Sequence, residues 1–220
     1  MEPLLDALIQ KYGSDKSMSK YTPMYSAAFT PMREAVTSVL EIGIGSIDRT
    51  FKHNMYGNLR NYPDYLPGGS LCAWRDFFPK ATIYGVDIDP KCHLEKERIV
   101  TYIFDSSDTA ECNKQLYSKT FDIIIDDGDH TPSSQIQTAH NLFSLVRFLG
   151  YYVIEDLGEW TRDHTVEENI SALSSILTQH EYYHHHGGIL FIRKNYSKKQ
   201  CLASNEFFER SEYIYPINYV

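Results

Sequence analysis

The chain has few basic residues, and this shortage limits what it can bind. Its 220 residues include 21 Lys and Arg against 29 Asp and Glu, which gives a formal net charge of −8. A protein that binds the phosphate backbone of nucleic acids needs clustered Lys and Arg side chains. The composition therefore argues against nucleic acid as a partner.

Closely spaced cysteines and long apolar runs are also missing. No C-x-x-C pair occurs, so neither a zinc knuckle nor a disulfide framework is expected. No segment approaches the roughly 20 apolar residues of a membrane-spanning helix. The N-terminus lacks the basic region of a signal peptide. We therefore expect a cytoplasmic protein without a membrane span, whose cysteines stay reduced: Cys72, Cys92, Cys112 and Cys201.

What the sequence does contain is an alternation of apolar, strand-like runs with helical patterns. This alternation predicts βαβ crossovers and a parallel sheet. The predicted strands are 38–43, 82–87, 99–104, 122–125 and 151–154, and the predicted helices are 3–11, 22–33, 70–78, 107–117, 132–147 and 165–179. Two more strand-like runs, 182–186 and 189–193, flank Gly187-Gly188, which indicates an antiparallel hairpin.

A parallel sheet that finishes with an antiparallel hairpin is common among class I methyltransferases. The expected fold class is therefore α/β, a Rossmann-like fold with a mostly parallel, seven-stranded sheet. We expect a single domain over 1–220, with N-terminal helices in 1–34, the core in 35–193 and a polar tail in 194–220. Residues 44–69 are expected to form a long loop over the site.

Two of the predicted strands end in carboxylates. Phe121–His130 is an apolar run that ends in two aspartates, a glycine, a third aspartate and a histidine, and Tyr151–Asp156 ends in Glu-Asp. Ligands of open α/β sheets bind beyond the carboxyl ends of the strands, which lie about 4.8 Å apart. Carboxylates that meet there repel each other unless a cation or a proton intervenes. The pattern favours a site for Mg²⁺, Mn²⁺ or Ca²⁺ over zinc; the alternative is that the acids cap the following helices.

A glycine pair follows the first predicted strand. Gly43 and Gly45 allow a close approach of a ligand to the turn, but Asp48 stands where a dinucleotide fingerprint has its third glycine. A nucleoside is therefore the favoured ligand, and Asp87, at the end of the next strand, could accept hydrogen bonds from a ribose diol. The segment Asp105-Ser-Ser-Asp108, with Ser106, could contact an adenine edge or could equally form an N-cap box.

These motifs, taken in order, resemble the metal-dependent sugar O-methyltransferases that act on macrolide deoxysugars. The resemblance covers about residues 10–193 and is carried by Lys11-Tyr-Gly-Ser-Asp-Lys16, Glu41-Ile-Gly-Ile-Gly45, Gly68-Gly-Ser-Leu-x-x-Trp74, Tyr84-Gly-Val-Asp-Ile88, Ile125-Asp-Asp-Gly-x-His130 and Val153-Ile-Glu-Asp-Leu157. One departure is Phe104, which stands at the third strand end where the family has glycine.

The resemblance implies a cofactor, a metal and partners. S-adenosylmethionine would contact Glu41, Gly43, Gly45, Asp87, Ser14 and Ser70. The metal, Mg²⁺ by expectation, would be bound by Asp127, Glu155 and Asp156. Asp126 would be left for cofactor-side or structural contacts. The expected partners are a sugar-containing acceptor, further copies of the chain and glycosyltransferases.

His130 is the candidate base. A cation that binds a sugar hydroxyl lowers its pKa, and a nearby imidazole can then take the proton. A histidine at a helix start is often only a cap, but the Asp-Asp-Gly-x-His context favours a catalytic role. Trp160, Arg162 and His164 follow the second acidic strand and could line the acceptor pocket, although ordinary loop residues are an equal alternative.

The leading hypothesis is an S-adenosylmethionine-dependent, Mg²⁺-assisted O-methyltransferase for a sugar hydroxyl, such as that of rhamnose in a glycan or glycoside. A methyltransferase for catechol-type or other vicinal diols uses the same metal chemistry and stays open. A non-catalytic module of a glycan-building complex is the alternative from another class. A base beside a cation site argues against that module.

Overall fold

The structure is a computed structural model that describes residues 4–17, 21–51, 54–60, 63, 65–157, 171, 173, 182–186 and 188–194. The chain divides into two compact units, Met1–Ser118 and Lys119–Val220. Within the described residues, no helix has both the length and the apolar character needed to cross a membrane.

The first unit contains a parallel sheet in the order β3-β2-β1. The strands are β1 (Ser38–Ile42), β2 (Thr82–Asp87) and β3 (Ile99–Ile103). Ser38 pairs with Thr82 and Ile42 with Val86, so β1 and β2 end side by side. All five residues of β1 are buried, as expected for a strand covered on both faces of a parallel sheet.

Among its described residues, the first unit has the α-helices α1 (Leu4–Lys11), α2 (Thr22–Phe29), α3 (Gly69–Phe77) and α4 (Thr109–Leu116). An aromatic cluster joins α2 to α3, because the Trp74 ring lies edge-on to Tyr25 at a centroid distance of 5.1 Å and to Phe29 at 6.2 Å. These three side chains are buried. Edge-to-face packing of this kind adds to the stabilisation that comes from burial.

The second unit contains a mixed sheet in the order β4-β5-β7-β6. The elements are β4 (Phe121–Asp126), α5 (Pro132–Leu142), β5 (Val146–Ile154), β6 (Tyr182–His186) and β7 (Ile189–Arg193). β4 and β5 are parallel, whereas β7 runs antiparallel to both of its neighbours. The predicted C-terminal hairpin is thereby confirmed, and so is the parallel pairing of the two acidic strands.

The predicted helix 132–147 is too long at its end. The α-helix ends at Leu142, a 3₁₀ turn follows, and β5 begins at Val146. The first half of β5 is irregular. The β4–β5 register shifts between Phe121 and Ile123, and Leu149 has a φ of 62°. The backbones approach closely there, since a Cβ on Gly150 would lie 2.6 Å from the carbonyl oxygen of Asp122. The helical periodicity used for the prediction does not reveal a bulged strand of this kind. The predicted helix 165–179 lies outside the described residues apart from positions 171 and 173, and so does the predicted tail 194–220 apart from Lys194.

Candidate functional site

Three side chains of the second unit form a compact acidic group. Asp127, His130 and Asp156 each offer one ligand atom, and these atoms lie within 4.8 Å of one another. His130 Nε2 is 3.5 Å from Asp156 Oδ2. All three side chains are partly exposed, so a ligand could reach them. We call Asp127, His130 and Asp156 the acidic group.

The sheet brings these residues together because β4 and β5 end side by side. Asp126 is paired with Ile154, and the Glu155 N–H donates to the Asp126 carbonyl oxygen at 2.9 Å. The chain leaves each strand directly after this point, so Asp127 and Asp156 follow neighbouring strand ends. His130 comes from the turn before α5, which Thr131 caps by accepting a hydrogen bond from the Ser134 N–H.

The two adjacent aspartates have different surroundings. Asp126 is 2% exposed, whereas Asp127 is partly exposed. Burial raises the pKa of Asp126 to about 7, against weaker lowering by hydrogen bonds from the Gly128 N–H and the Tyr152 hydroxyl. Consecutive strand residues point to opposite faces, which explains the division. Asp127 therefore belongs to the acidic group and Asp126 does not.

Asp156 has an unusual backbone conformation. Its φ is 54°, in the left-handed region that most residues other than glycine avoid. Aspartate tolerates this region better than most residues, but the cost is still on the order of 1 kcal/mol. Strain of this kind collects at functional sites. Glycine would adopt this backbone conformation with less strain, yet the position carries a carboxylate.

Glu155 lies in a different environment from its neighbour Asp156. It is 2% exposed and lies outside the acidic group. Its backbone carbonyl oxygen accepts a hydrogen bond of 2.9 Å from Nε2 of the buried Gln135 on α5. The resemblance implied Asp127, Glu155 and Asp156 as metal ligands, whereas the acidic group in the structure contains His130 in place of Glu155. Glu155 as a metal ligand stays a prediction.

The residues present fit a hard divalent cation. Two carboxylates within reach of one point are the ligands that Mg²⁺ and Mn²⁺ prefer, and an imidazole is compatible with Mn²⁺. A cation there would also offset the repulsion among the neighbouring carboxylates.

The glycine turn of the first unit is held by Asp87. Its Oδ2 accepts hydrogen bonds from the Ile44 N–H at 2.8 Å and the Gly45 N–H at 3.2 Å. Gly43 and Gly45 have φ values of 85° and 92°, which only glycine adopts readily. Gly43, Gly45 and Asp87 are therefore brought together as predicted. Asp87 also has a structural task that the ribose hypothesis did not include.

Glu41 lies at the centre of a buried polar cluster beside this turn. Ser70 Oγ donates to Glu41 Oε2 at 2.8 Å, and Lys16 Nζ lies 3.2 Å from Glu41 Oε1. Lys16 is 2% and Glu41 0% exposed. Ser14 Oγ accepts a hydrogen bond of 3.4 Å from the Lys16 N–H. The structure thus joins three of the predicted cofactor residues: Ser70 bonds Glu41 directly, and Lys16 links Glu41 to Ser14.

Two residues beside the predicted cofactor set were missed. Lys16 belongs to a motif that supports the family resemblance, and its acidic partner is far away in the sequence. Tyr65 lies in the insertion, which we define as residues 46–67, and its hydroxyl donates to the Gly45 carbonyl oxygen at 3.0 Å. A Cβ on Gly45 would lie 1.6 Å from that hydroxyl oxygen. No local signal marks a tyrosine that packs against a glycine 20 residues earlier.

The remaining predicted site residues divide into described and undescribed ones. Ser106 is partly exposed, and its carbonyl oxygen accepts a hydrogen bond from the Cys112 thiol. Asp108 is the N-cap of α4, as the helix-capping alternative predicted. A contact of Ser106 with adenine stays a prediction. Trp160, Arg162 and His164 lie outside the described residues.

Comparisons with known proteins bear on this site. No protein-family model matches the chain. The chain is 39% identical over 164 residues to demethylmacrocin O-methyltransferase of Streptomyces fradiae, an alignment that covers 73% of this chain. It is 39% identical over 161 residues, 71% of this chain, to 8-demethyl-8-(2-methoxy-alpha-L-rhamnosyl)-tetracenomycin-C 3'-O-methyltransferase of Streptomyces olivaceus. The chain spans 37% of the length of each of these relatives.

A solved structure supports the same relationship. The MycE methyltransferase of the mycinamycin biosynthetic pathway, in complex with Mg, SAH and mycinamycin VI, superposes with a TM-score of 0.70 at 27% identity. The match covers 90% of this chain and 55% of that one. The predicted resemblance is confirmed: the chain is a homologue of the macrolide-type sugar O-methyltransferases and has a Rossmann-like methyltransferase fold.

Proposed function

We propose that the chain is an S-adenosylmethionine-dependent O-methyltransferase that acts on a sugar hydroxyl with the help of Mg²⁺. The observation that carries this proposal is the acidic group at the ends of β4 and β5 in a homologue of sugar O-methyltransferases. The proposal includes the predicted architecture, which is a single domain with one mostly parallel, seven-stranded sheet.

The first unit supplies the cofactor residues in this proposal. The glycine turn at Gly43 and Gly45, braced by Asp87, would approach the nucleoside closely because no Cβ intervenes. The buried Glu41–Ser70 pair lies next to this turn and would face the amino-acid part of the cofactor. The Lys16 ammonium, 3.2 Å from Glu41 Oε1, already compensates the charge of this buried carboxylate.

Asp127 and Asp156 would hold the cation, with Glu155 as the predicted third carboxylate. At this position a bound cation would supply Lewis-acid chemistry that lowers the pKa of the acceptor hydroxyl. The chain's own residues orient the acceptor: two carboxylates on neighbouring strand ends define where a hydroxyl can lie. Two adjacent sugar hydroxyls would fit such a site, which selects the oxygen that reacts.

His130 completes the reaction as the proton acceptor. Its Nε2 lies 3.5 Å from Asp156 Oδ2, within reach of a hydroxyl held at the acidic group. The hydroxyl oxygen forms a bond to the methyl carbon of S-adenosylmethionine while the carbon–sulfur bond breaks. The electron pair stays on sulfur, which gives S-adenosylhomocysteine, and the hydroxyl proton moves to His130.

The acceptor class is tested by a methyl-transfer assay with purified protein, Mg²⁺ and radiolabelled S-adenosylmethionine. Rhamnose-type glycosides are compared with catechols at equal concentrations. The proposal expects label in the glycosides. Label in catechols alone would assign a vicinal-diol methyltransferase, and cofactor binding without methylation of either acceptor class would favour a non-catalytic module.

A further inference from the structure

Gln135 is buried in the second unit and makes one contact with the acidic strand ends. It is 2% exposed on α5, and its Nε2 donates to the Glu155 carbonyl oxygen at 2.9 Å. Neither the metal nor the proton transfer proposed above uses this residue. The bond nonetheless reaches the residue directly before Asp156.

The Glu155 backbone is held from two directions. Its N–H donates to the Asp126 carbonyl oxygen on β4, and its carbonyl oxygen accepts from Gln135 on α5. The next residue, Asp156, has a φ of 54°. A non-glycine residue keeps such a conformation only where its surroundings over-determine it. The Gln135 amide is one of the contacts that do so.

Gln135 also connects the histidine turn to the acidic turn. Its backbone N–H donates to the Thr131 carbonyl oxygen at 3.0 Å, in the first turn of α5 directly after His130. The helix start that follows His130 is therefore linked through one side chain to the backbone that precedes Asp156. The distance between His130 Nε2 and Asp156 Oδ2, 3.5 Å, depends on both turns.

The other end of the same amide argues against a purely stabilising role. Gln135 Oε1 is buried without a hydrogen-bond partner among the described residues. An apolar side chain of the same size would avoid this unpaired acceptor but would leave the Glu155 carbonyl oxygen without its donor. The amide is therefore present for its donor, which holds the Glu155–Asp156 turn.

We propose that Gln135 is a positioning residue for the cation site, which acts by holding the Glu155 carbonyl and thereby the Asp156 carboxylate. This inference rests on the proposed function, because it presupposes that the acidic group binds a divalent cation. Partners of this kind behind metal ligands typically change metal affinity by about 10–100-fold when removed.

Gln135→Met tests the proposal, since it keeps the side-chain volume and removes the donor. Isothermal titration of the metal-free protein with Mn²⁺ should give an affinity about tenfold weaker than that of the unaltered protein. The electron paramagnetic resonance spectrum of bound Mn²⁺ should broaden, which a loss of global stability alone would not produce. Affinity for S-adenosylmethionine, which the first unit is proposed to bind, should stay the same.

Gln137→Met is the matched control, because it is the same change on the exposed face of the same helix. The native Gln137 Nε2 donates to Asn141 Oδ1 on the same helix. The Mn²⁺ affinity of the Gln137→Met protein should therefore be unchanged. Gln135→Asn is a second test variant. Its side chain is one methylene shorter and cannot reach the Glu155 carbonyl oxygen, which the native side chain bonds at 2.9 Å. It should therefore show the same loss of Mn²⁺ affinity. This variant keeps a polar group if Gln135→Met does not fold.

The outcomes separate this inference from the function on which it rests. If the unaltered protein binds Mn²⁺ and both Gln135 variants bind it equally well, the positioning role is wrong and the proposed function stands. If the unaltered protein binds no divalent cation, the metal-assisted function fails and the inference fails with it.

Discussion

At the scale of single residues, neighbours in sequence have different environments and therefore different chemistry. Asp126 is buried with a raised pKa, whereas Asp127 is partly exposed and lies within 4.8 Å of the ligand atoms of His130 and Asp156. Glu155 is buried and Asp156 is strained. One member of each acidic pair is thus partly exposed and belongs to the acidic group, whereas the other is buried at the strand end.

Substitution of His130 tests whether this residue acts as the base or as a metal ligand. If it accepts the proton, His130→Ala should lower turnover by about 10²–10⁴-fold, while affinities for S-adenosylmethionine and Mg²⁺ change little. Turnover is measured by methyl transfer, and both affinities by calorimetry. A loss of Mg²⁺ affinity beyond about tenfold would instead make His130 a metal ligand.

The buried pair of Lys16 and Glu41 predicts a large effect on stability. Glu41→Gln removes the carboxylate charge that lies 3.2 Å from the buried Lys16 ammonium, which should cost about 3–5 kcal/mol. Urea unfolding without cofactor measures this free energy. Glu34→Gln is the control, since Glu34 pairs with Arg33 at the exposed surface and should cost less than about 1 kcal/mol. Equal effects of the two substitutions would contradict the account of Lys16.

At the scale of elements, the turn after β1 is held by contacts from distant segments. Asp87 at the end of β2 binds two of its amides, and Tyr65 of the insertion binds the Gly45 carbonyl oxygen. Further out, Asp48 pairs with Lys91 after β2. The insertion is thus attached to the turn that is proposed to bind the cofactor.

Gly45 should not tolerate a side chain. Gly45→Ala places a Cβ 1.6 Å from the Tyr65 hydroxyl oxygen at a φ of 92°, so we expect a loss of about 1–3 kcal/mol and weaker cofactor binding. Gly57→Ala is the control, because a Cβ there meets nothing within 4 Å. Its stability should change by less than about 0.5 kcal/mol. Thermal unfolding with and without S-adenosylmethionine measures both effects, and unaltered behaviour of Gly45→Ala would refute the close packing.

The Asp48–Lys91 contact predicts a response to acid. The Lys91 ammonium, helped by Thr50, lowers the pKa of Asp48 from 3.8 to about 2. Because the folded pKa is depressed, this contribution to stability is complete above about pH 4 and is lost as the pH falls through 2. In Asp48→Asn, the free energy of unfolding should fall less steeply between pH 4 and 2. An identical pH slope would show that the pair contributes nothing.

At the scale of the whole molecule, the strands of both units were predictable, because apolar runs that stop at acids or glycines are local signals. Each was found within a few residues of its predicted position, except for the bulged first half of β5. The division between Asp126 and Asp127 followed from strand alternation. Lys16, Tyr65 and Gln135 were missed because each acts through a partner 20 to 25 residues away in sequence. Single-sequence patterns do not report such contacts.

The central claim is that a divalent cation at the acidic group is required for methyl transfer to a sugar hydroxyl. Its most direct test is methyl transfer from radiolabelled S-adenosylmethionine to a rhamnose-type glycoside, before and after EDTA treatment and after addition of Mg²⁺. The account predicts that EDTA abolishes turnover and that Mg²⁺ restores it. Turnover that is indifferent to EDTA would contradict it.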